Sequence, residues 1–158
     1  MTKIFEGSIF GEKMRIAIIG TRWNEFIVER LITGAKSAAR RCGVLAENID
    51  LAIAPGAYEV PFIAKKLADC GRYDAIVALG CVIRGETSHF EYVAAEAATG
   101  IARIACDTGT PVSFGILTVE TTEQAIERAG AKSGNKGEEA MLAAIETFNL
   151  AQSIKEDG

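Results

Sequence analysis

The chain has 158 residues, with 17 Lys and Arg against 21 Asp and Glu, a formal net charge of −4. That balance argues against a general nucleic-acid binder, whose affinity rests on neutralising phosphates. An apolar content of 49% excludes a disordered chain, and only 3 Pro and 4 Cys set aside the Pro-rich and disulfide-dense classes.

The apolar content is unusual in kind: 25 Ala and 16 Gly stand against 11 aromatic residues. A chain of one-domain size has much surface to cover with polar groups. The surplus of small apolar residues therefore suggests that part of it faces another subunit.

In chain order, residues 1–12 read as an N-terminal arm. Met14–Gly20 (MRIAIIG) is a short apolar run ending in Gly, the signal of a buried strand. A long amphipathic stretch follows, with Phe26, Ile27, Leu31, Ala35, Ala38 and Ala39 at helical spacing and Gly43 as its stop. Ile49–Ala54 alternates as a strand does, and Pro55-Gly56 marks a turn. Val60 to Leu67 reads as a helix with Pro61 in its first turn. Ala75–Cys81 is a second buried strand, residues 88 to about 107 form an Ala-rich helix, and Val112–Thr118 is a fourth strand. Thr121-x-x-Gln124 resembles a capping box opening a short helix. GAKSGNKG reads as a loop, and Glu138 to about Ile154 as the last helix, with Leu142, Ala143, Ile145, Phe148 and Leu150 on its apolar face. Residues 155–158 read as a frayed tail. Strands alternating with helices require crossovers, so a single domain with a parallel sheet covered on both faces is expected.

Cys42, Cys70, Cys81 and Cys106 have no CxxC spacing, and one His supplies no zinc set. They read as reduced, mostly buried thiols of a cytoplasmic protein. The N-terminus has no signal-peptide hydrophobic region, and no apolar run approaches the roughly 20 residues that span a bilayer.

Ligands of such sheets sit beyond the carboxyl ends of the strands. The richest segment there is GCVIRGETSHFEY, residues 80–92. Ser88-x-x-Glu91 reads as a capping box, so the amides around Glu86 and Thr87 would lie at a helix N-terminus and attract an anion. A plain capped helix is the competing reading. His89, the only histidine, falls in the first turn of that helix, where an imidazole can move protons near neutral pH. Arg128, Lys132 and Lys136 form a basic cluster in IERAGAKSGNKG. It reads either as a phosphate site or as a solvated helix end. Trp23 can stack on a flat ring or fill a corner. In PGAYE (55–59), small residues let backbone approach a ligand, and Glu59 accepts hydrogen bonds from hydroxyls or simply opens a helix. Phe114 reads as core or interface.

RWNEFI (22–27), PGAYEVPF (55–62), ALGCVIRGETSHFEYV (78–93), VSFGILT (112–118) and EQAIERAGAKSGNKGEEA (123–140) together resemble the lumazine synthase family, over about residues 8 to 152. The resemblance implies a flavodoxin-like three-layer α/β/α fold around a four-stranded parallel sheet. It also implies a condensation needing no metal or organic cofactor. The substrates would be 5-amino-6-(D-ribitylamino)uracil and 3,4-dihydroxy-2-butanone 4-phosphate.

Carried over by position, Trp23 would stack on the pyrimidine, where Phe is common in the family. Ala57, Tyr58 and Glu59 would bind the ribityl chain, and Cys81, Val82 and Ile83 would line the pyrimidine pocket. Glu86 and Thr87 would bind phosphate through their amides, and His89 would transfer protons. Phe114 and Arg128 would come from a neighbouring subunit, with Lys136 near the phosphate. The resemblance further implies a homopentamer and a functional association with riboflavin synthase. Family members that stop at pentamers often carry an insertion at the GAKSGNKG kink; this chain carries none, so the resemblance favours twelve pentamers in an icosahedral shell over a lone pentamer. An archaeal-type riboflavin synthase and a non-catalytic flavin-binding shell protein are the alternatives.

Overall fold

The computed structural model describes residues 1–158. In chain order it contains β1 (Ile16–Thr21), α1 (Glu25–Arg41), β2 (Ile49–Ala54), α2 (Val60–Asp69), β3 (Ala75–Ile83) and α3 (His89–Thr108). β4 (Val112–Val119), α4 (Thr122–Arg128), β5 (Ala129–Ala131), β6 (Gly134–Asn135) and α5 (Lys136–Glu156) complete it. Four strands pair in parallel in the order β2-β1-β3-β4.

Every residue of β1 is buried, and β3 is buried from Ala75 through Cys81. Their unbroken apolar runs suit strands covered on both faces. Successive side chains point to opposite faces, so neighbours feed different cores. Ile18, Val77 and Leu79 pack with Leu31 and Ala35 of α1 and with Met141 and Ile145 of α5. Ile19, Ile76 and Ile116 pack with Val60 and Ala64 of α2 and with Ala97 and Ile101 of α3. The result is the expected three-layer, flavodoxin-like α/β/α arrangement.

The stop of α1 follows the sequence. Gly43 has φ +87°, and the Val44 and Gly43 amides donate to the Ala39 and Arg40 carbonyls at 3.0 and 3.1 Å, the left-handed closure that glycine favours. Thr121 caps α4 as predicted, accepting from the Gln124 amide at 3.2 Å, while Gln124 Oε1 accepts from the Glu120 amide at 2.8 Å.

Five expectations change. GAKSGNKG is not a plain loop, because Ala129–Ala131 and Gly134–Asn135 pair as a small antiparallel hairpin. α5 begins at Lys136 because Asn135 Oδ1 accepts from the Gly137 and Glu138 amides at 2.8 and 3.1 Å. Only glycine fits at 137 in that first turn, because a Cβ there would collide with the Leu31 carbonyl oxygen of α1. The buried face of α5 is Ala140, Met141, Ala144 and Ile145, with Ala143 exposed. On α1, Phe26 faces solvent. Cys42 and Cys81 are buried, but Cys70 and Cys106 are exposed, since both lie on outward faces near helix ends. No helix is long and apolar enough to cross a membrane.

Candidate active site

The carboxyl ends of β1, β2 and β3 converge. Past β1, the Arg22 and Trp23 amides continue onto the Ala54 and Pro55 carbonyls at 2.8 and 3.1 Å. This lays the Trp23 ring directly over Gly56, where any Cβ would collide with the ring. Trp23 is 61% exposed, so one face of a flat aromatic surface remains open. Ala57 is buried and Tyr58 exposed within a single 3-10 turn at Ala57–Glu59. Glu59 Oε2 is buried and has no hydrogen-bond partner. An unpaired buried acceptor costs about 1–3 kcal/mol, so a ligand hydroxyl donating to it recovers that cost.

Asn24 is a residue that the sequence reading missed. It is the one non-glycine residue with positive φ, at 60°. It stands at the start of α1, and its side-chain amide donates to the Cys81 carbonyl at 2.8 Å. β3 outruns β1, whose pairing with it ends at Gly20↔Leu79, so Asn24 occupies the side of β3 that β1 has left. Asparagine tolerates the left-handed region unusually well, which is the only signal the sequence offered. Val82 and Ile83 complete β3 and are half-buried.

Beyond β3, Gly85–Ser88 are all exposed, and none of their N–H groups donates to a backbone carbonyl. Glu86 and Thr87 therefore present free amides just before α3, where the helix dipole favours an anion. His89 is the first residue of α3 and is exposed. The expected capping box is not formed. Ser88 has helical φ and ψ of −71° and 0° and makes no side-chain cap bond. Thr87 Oγ1 instead accepts from the His89 amide at 3.3 Å, and Glu91 turns aside to Arg84 at 3.3 Å.

Phe114, Arg128 and Lys136 lie elsewhere in the chain. They share a pocket of about 310 Å³ along edge strand β4, with Gly115–Val119. Trp23, Glu59, Cys81 and His89 do not line it. Phe114 pairs with Ala78, three residues before Cys81, and is 45% exposed rather than core. Arg128 donates to the Gln124 carbonyl at 3.0 Å, and Lys136 pairs with Glu139 at 2.8 Å. The residues thus form two groups, one at the ends of β1–β3 and α3, the other on β4, α4 and α5. A larger hollow of about 590 Å³ between α1 and the hairpin, lined by Phe26 and Asn135 among others, contains none of them.

Burial pushes the Cys81 thiol up to about 11, so it stays neutral near pH 7 and is poorly suited to act as a nucleophile. Cys70 is held below the usual thiol range by the Arg72 backbone N–H and guanidinium beside it. Iodoacetamide at pH 7.5 is expected to label Cys70 first and Cys106 more slowly. Cys42 and Cys81 should label only on unfolding, as peptide mass spectrometry can check. Early labelling of Cys81 would contradict this environment.

An aromatic platform, an unpaired buried carboxylate oxygen and free amides at a helix start suit a ligand with a flat ring, hydroxyls and an anionic group. The family model described as 6,7-dimethyl-8-ribityllumazine synthase matches residues 13–152, and the chain belongs to that family.

Proposed function

We propose that the protein condenses 5-amino-6-(D-ribitylamino)uracil with 3,4-dihydroxy-2-butanone 4-phosphate to 6,7-dimethyl-8-ribityllumazine. Phosphate and water are released, in the cytoplasm, as a step of riboflavin formation. One observation carries the reading. The unpaired Glu59 oxygen lies in the turn that follows Gly56, and Trp23 rests on Gly56 with its other face open. A polyol hanging from a flat heterocycle meets both, the ring stacking and the hydroxyls donating.

In this reading Trp23 stacks on the pyrimidine. Ala57, Tyr58 and Glu59 hold the ribityl chain, and Cys81, Val82 and Ile83 line the ring pocket, mainly through backbone. The Glu86 and Thr87 amides bind the phosphate of the second substrate. The 5-amino group attacks the ketone to form an imine with loss of one water, phosphate is eliminated, and the ribitylamino nitrogen closes the second ring with loss of a second water. His89 moves the protons, and Arg128 and Lys136 stabilise the departing phosphate.

Arg128, Lys136 and Phe114 reach this site from a neighbouring subunit, consistent with their separate pocket on the β4 edge. Self-association also accounts for α3, of whose 20 residues only Ala97 and Ile101 are buried. The assembly is a homopentamer, with twelve pentamers closing into a shell, and riboflavin synthase is a functional partner. Mixing both substrates with the protein tests the activity. Appearance of the lumazine absorption band supports it, and no turnover at any protein concentration overturns it.

A further inference from the structure

The side chain of Arg84 joins three elements around the Gly85–Ser88 loop. Its own amide donates to the Val119 carbonyl at 2.9 Å. Its Nε meets Glu120 Oε2 at 2.8 Å, just past β4, and its Nη1 meets Glu91 Oε1 at 3.3 Å, in the first turn of α3. The guanidinium lies 4.5 Å from the Phe90 ring centroid. One residue before the loop thus grips the helix after it and the neighbouring strand end at once.

The loop has little else to fix its shape. Its internal bonds are those of Thr87 Oγ1 with the His89 amide, at 3.3 Å, and of the Ser88 carbonyl with the Glu91 amide, at 3.1 Å. A Cβ on Gly85 would meet nothing within 4 Å. We infer that Arg84 is a positioning residue, a clip that holds the loop amides and His89 in the arrangement that phosphate binding and proton transfer require. The inference rests on the reaction proposed above for the assignment of those roles. The role assigned to Arg84 is positioning and not phosphate binding, since two carboxylates already pair with its Nε and Nη1.

The chemistry calls for arginine. A planar guanidinium pairs through its edge while stacking through its face, and a lysine ammonium cannot do both. At 36% side-chain exposure each ion pair alone is weak. Their effect comes from closing one ring of contacts across the loop.

The test uses the full-length assembled protein carrying Arg84→Met or Arg84→Lys. In Arg84→Met, amide hydrogen exchange at His89 and Glu91, the two hydrogen-bonded amides at the end of the loop, should speed up roughly tenfold, while β1 and β3 stay protected. That factor is about what one cation–π contact and two half-exposed ion pairs are worth together. KM for the phosphate-bearing substrate should rise by a similar factor, with KM for the pyrimidine unchanged. Arg84→Lys should fall closer to Met than to the parent. Unchanged exchange at His89 and Glu91 overturns the clip whatever reaction the protein catalyses. So does a loosened loop with the phosphate-substrate KM unmoved, or a lysine variant indistinguishable from the parent. Absence of turnover in the parent protein would instead sink the proposed reaction and leave the exchange measurement standing. If Arg84→Met does not assemble, Glu120→Gln and Phe90→Leu each remove one anchor. Each should speed exchange at His89 and Glu91 by about threefold, and no change in either overturns the inference.

Discussion

His89→Ala lowers kcat about ten- to a hundredfold and leaves both KM values nearly unchanged, the expected pattern when a positioned acid–base group is lost. His89 is the only imidazole in the chain, so no second histidine can take over its protons. It opens α3 directly behind the amides of Glu86 and Thr87, next to where the phosphate would leave. The effect falls at the low end for general acid–base catalysis because the residue is exposed in this chain and water can replace it as a slow proton carrier. Its side chain makes no hydrogen bond within the chain, so the melting temperature should hardly move. Free imidazole in the buffer should restore part of the lost rate. Unchanged kcat would show that another group moves the protons. A parallel rise in both KM values would make His89 a binding residue instead.

The strands and the site were legible to different degrees, for physical reasons. MRIAIIG and AIVALGC announce themselves because a strand buried on both faces must be apolar throughout, and the observed β1 and β3 lie within or just past those runs. Thr121 was readable because its extended backbone, φ −135° and ψ 158°, aims the hydroxyl at the Gln124 amide. Ser88, with Glu91 three residues on, carried the same kind of pattern and failed. Arg84 takes Glu91 away from the cap, and Ser88 itself is already helical. Asn24 and Arg84 were invisible for another reason. Each acts by bridging to a partner set by the fold, the Cys81 carbonyl for Asn24 and Glu120 for Arg84. Local pattern shows which residues suit a turn or a helix end. It does not show which carbonyl or carboxylate the crossovers bring beside them. The separation of Phe114, Arg128 and Lys136 from Trp23 and Glu59 is likewise a product of sheet order, since β4 lies on an edge and β1 near the centre.

That separation leads to the second large effect. Arg128→Ala is expected to raise KM for the phosphate-bearing substrate about ten- to a hundredfold, the worth of one or two charge-assisted hydrogen bonds. KM for the pyrimidine should stay the same. Arg128 is half-buried and already oriented by its bond to the Gln124 carbonyl, so its fork needs little reorganisation to meet an anion. A mixed assembly then asks where that anion sits. His89→Ala and Arg128→Ala chains are produced together in equal amounts, and the phosphate-bearing substrate is held well below KM. If one site takes His89 from one subunit and Arg128 from the next, about a quarter of the sites in a random ring carry both intact residues. Activity should then recover to about that fraction of the parent, far above either variant alone. If both residues serve a site within one chain, every site lacks one of them and the mixture shows only the average of the two variants. Recovery therefore requires the β4 pocket of one subunit to face the Trp23 platform and GETSH loop of its neighbour. Absence of recovery in a properly mixed assembly would place Arg128 outside the shared site.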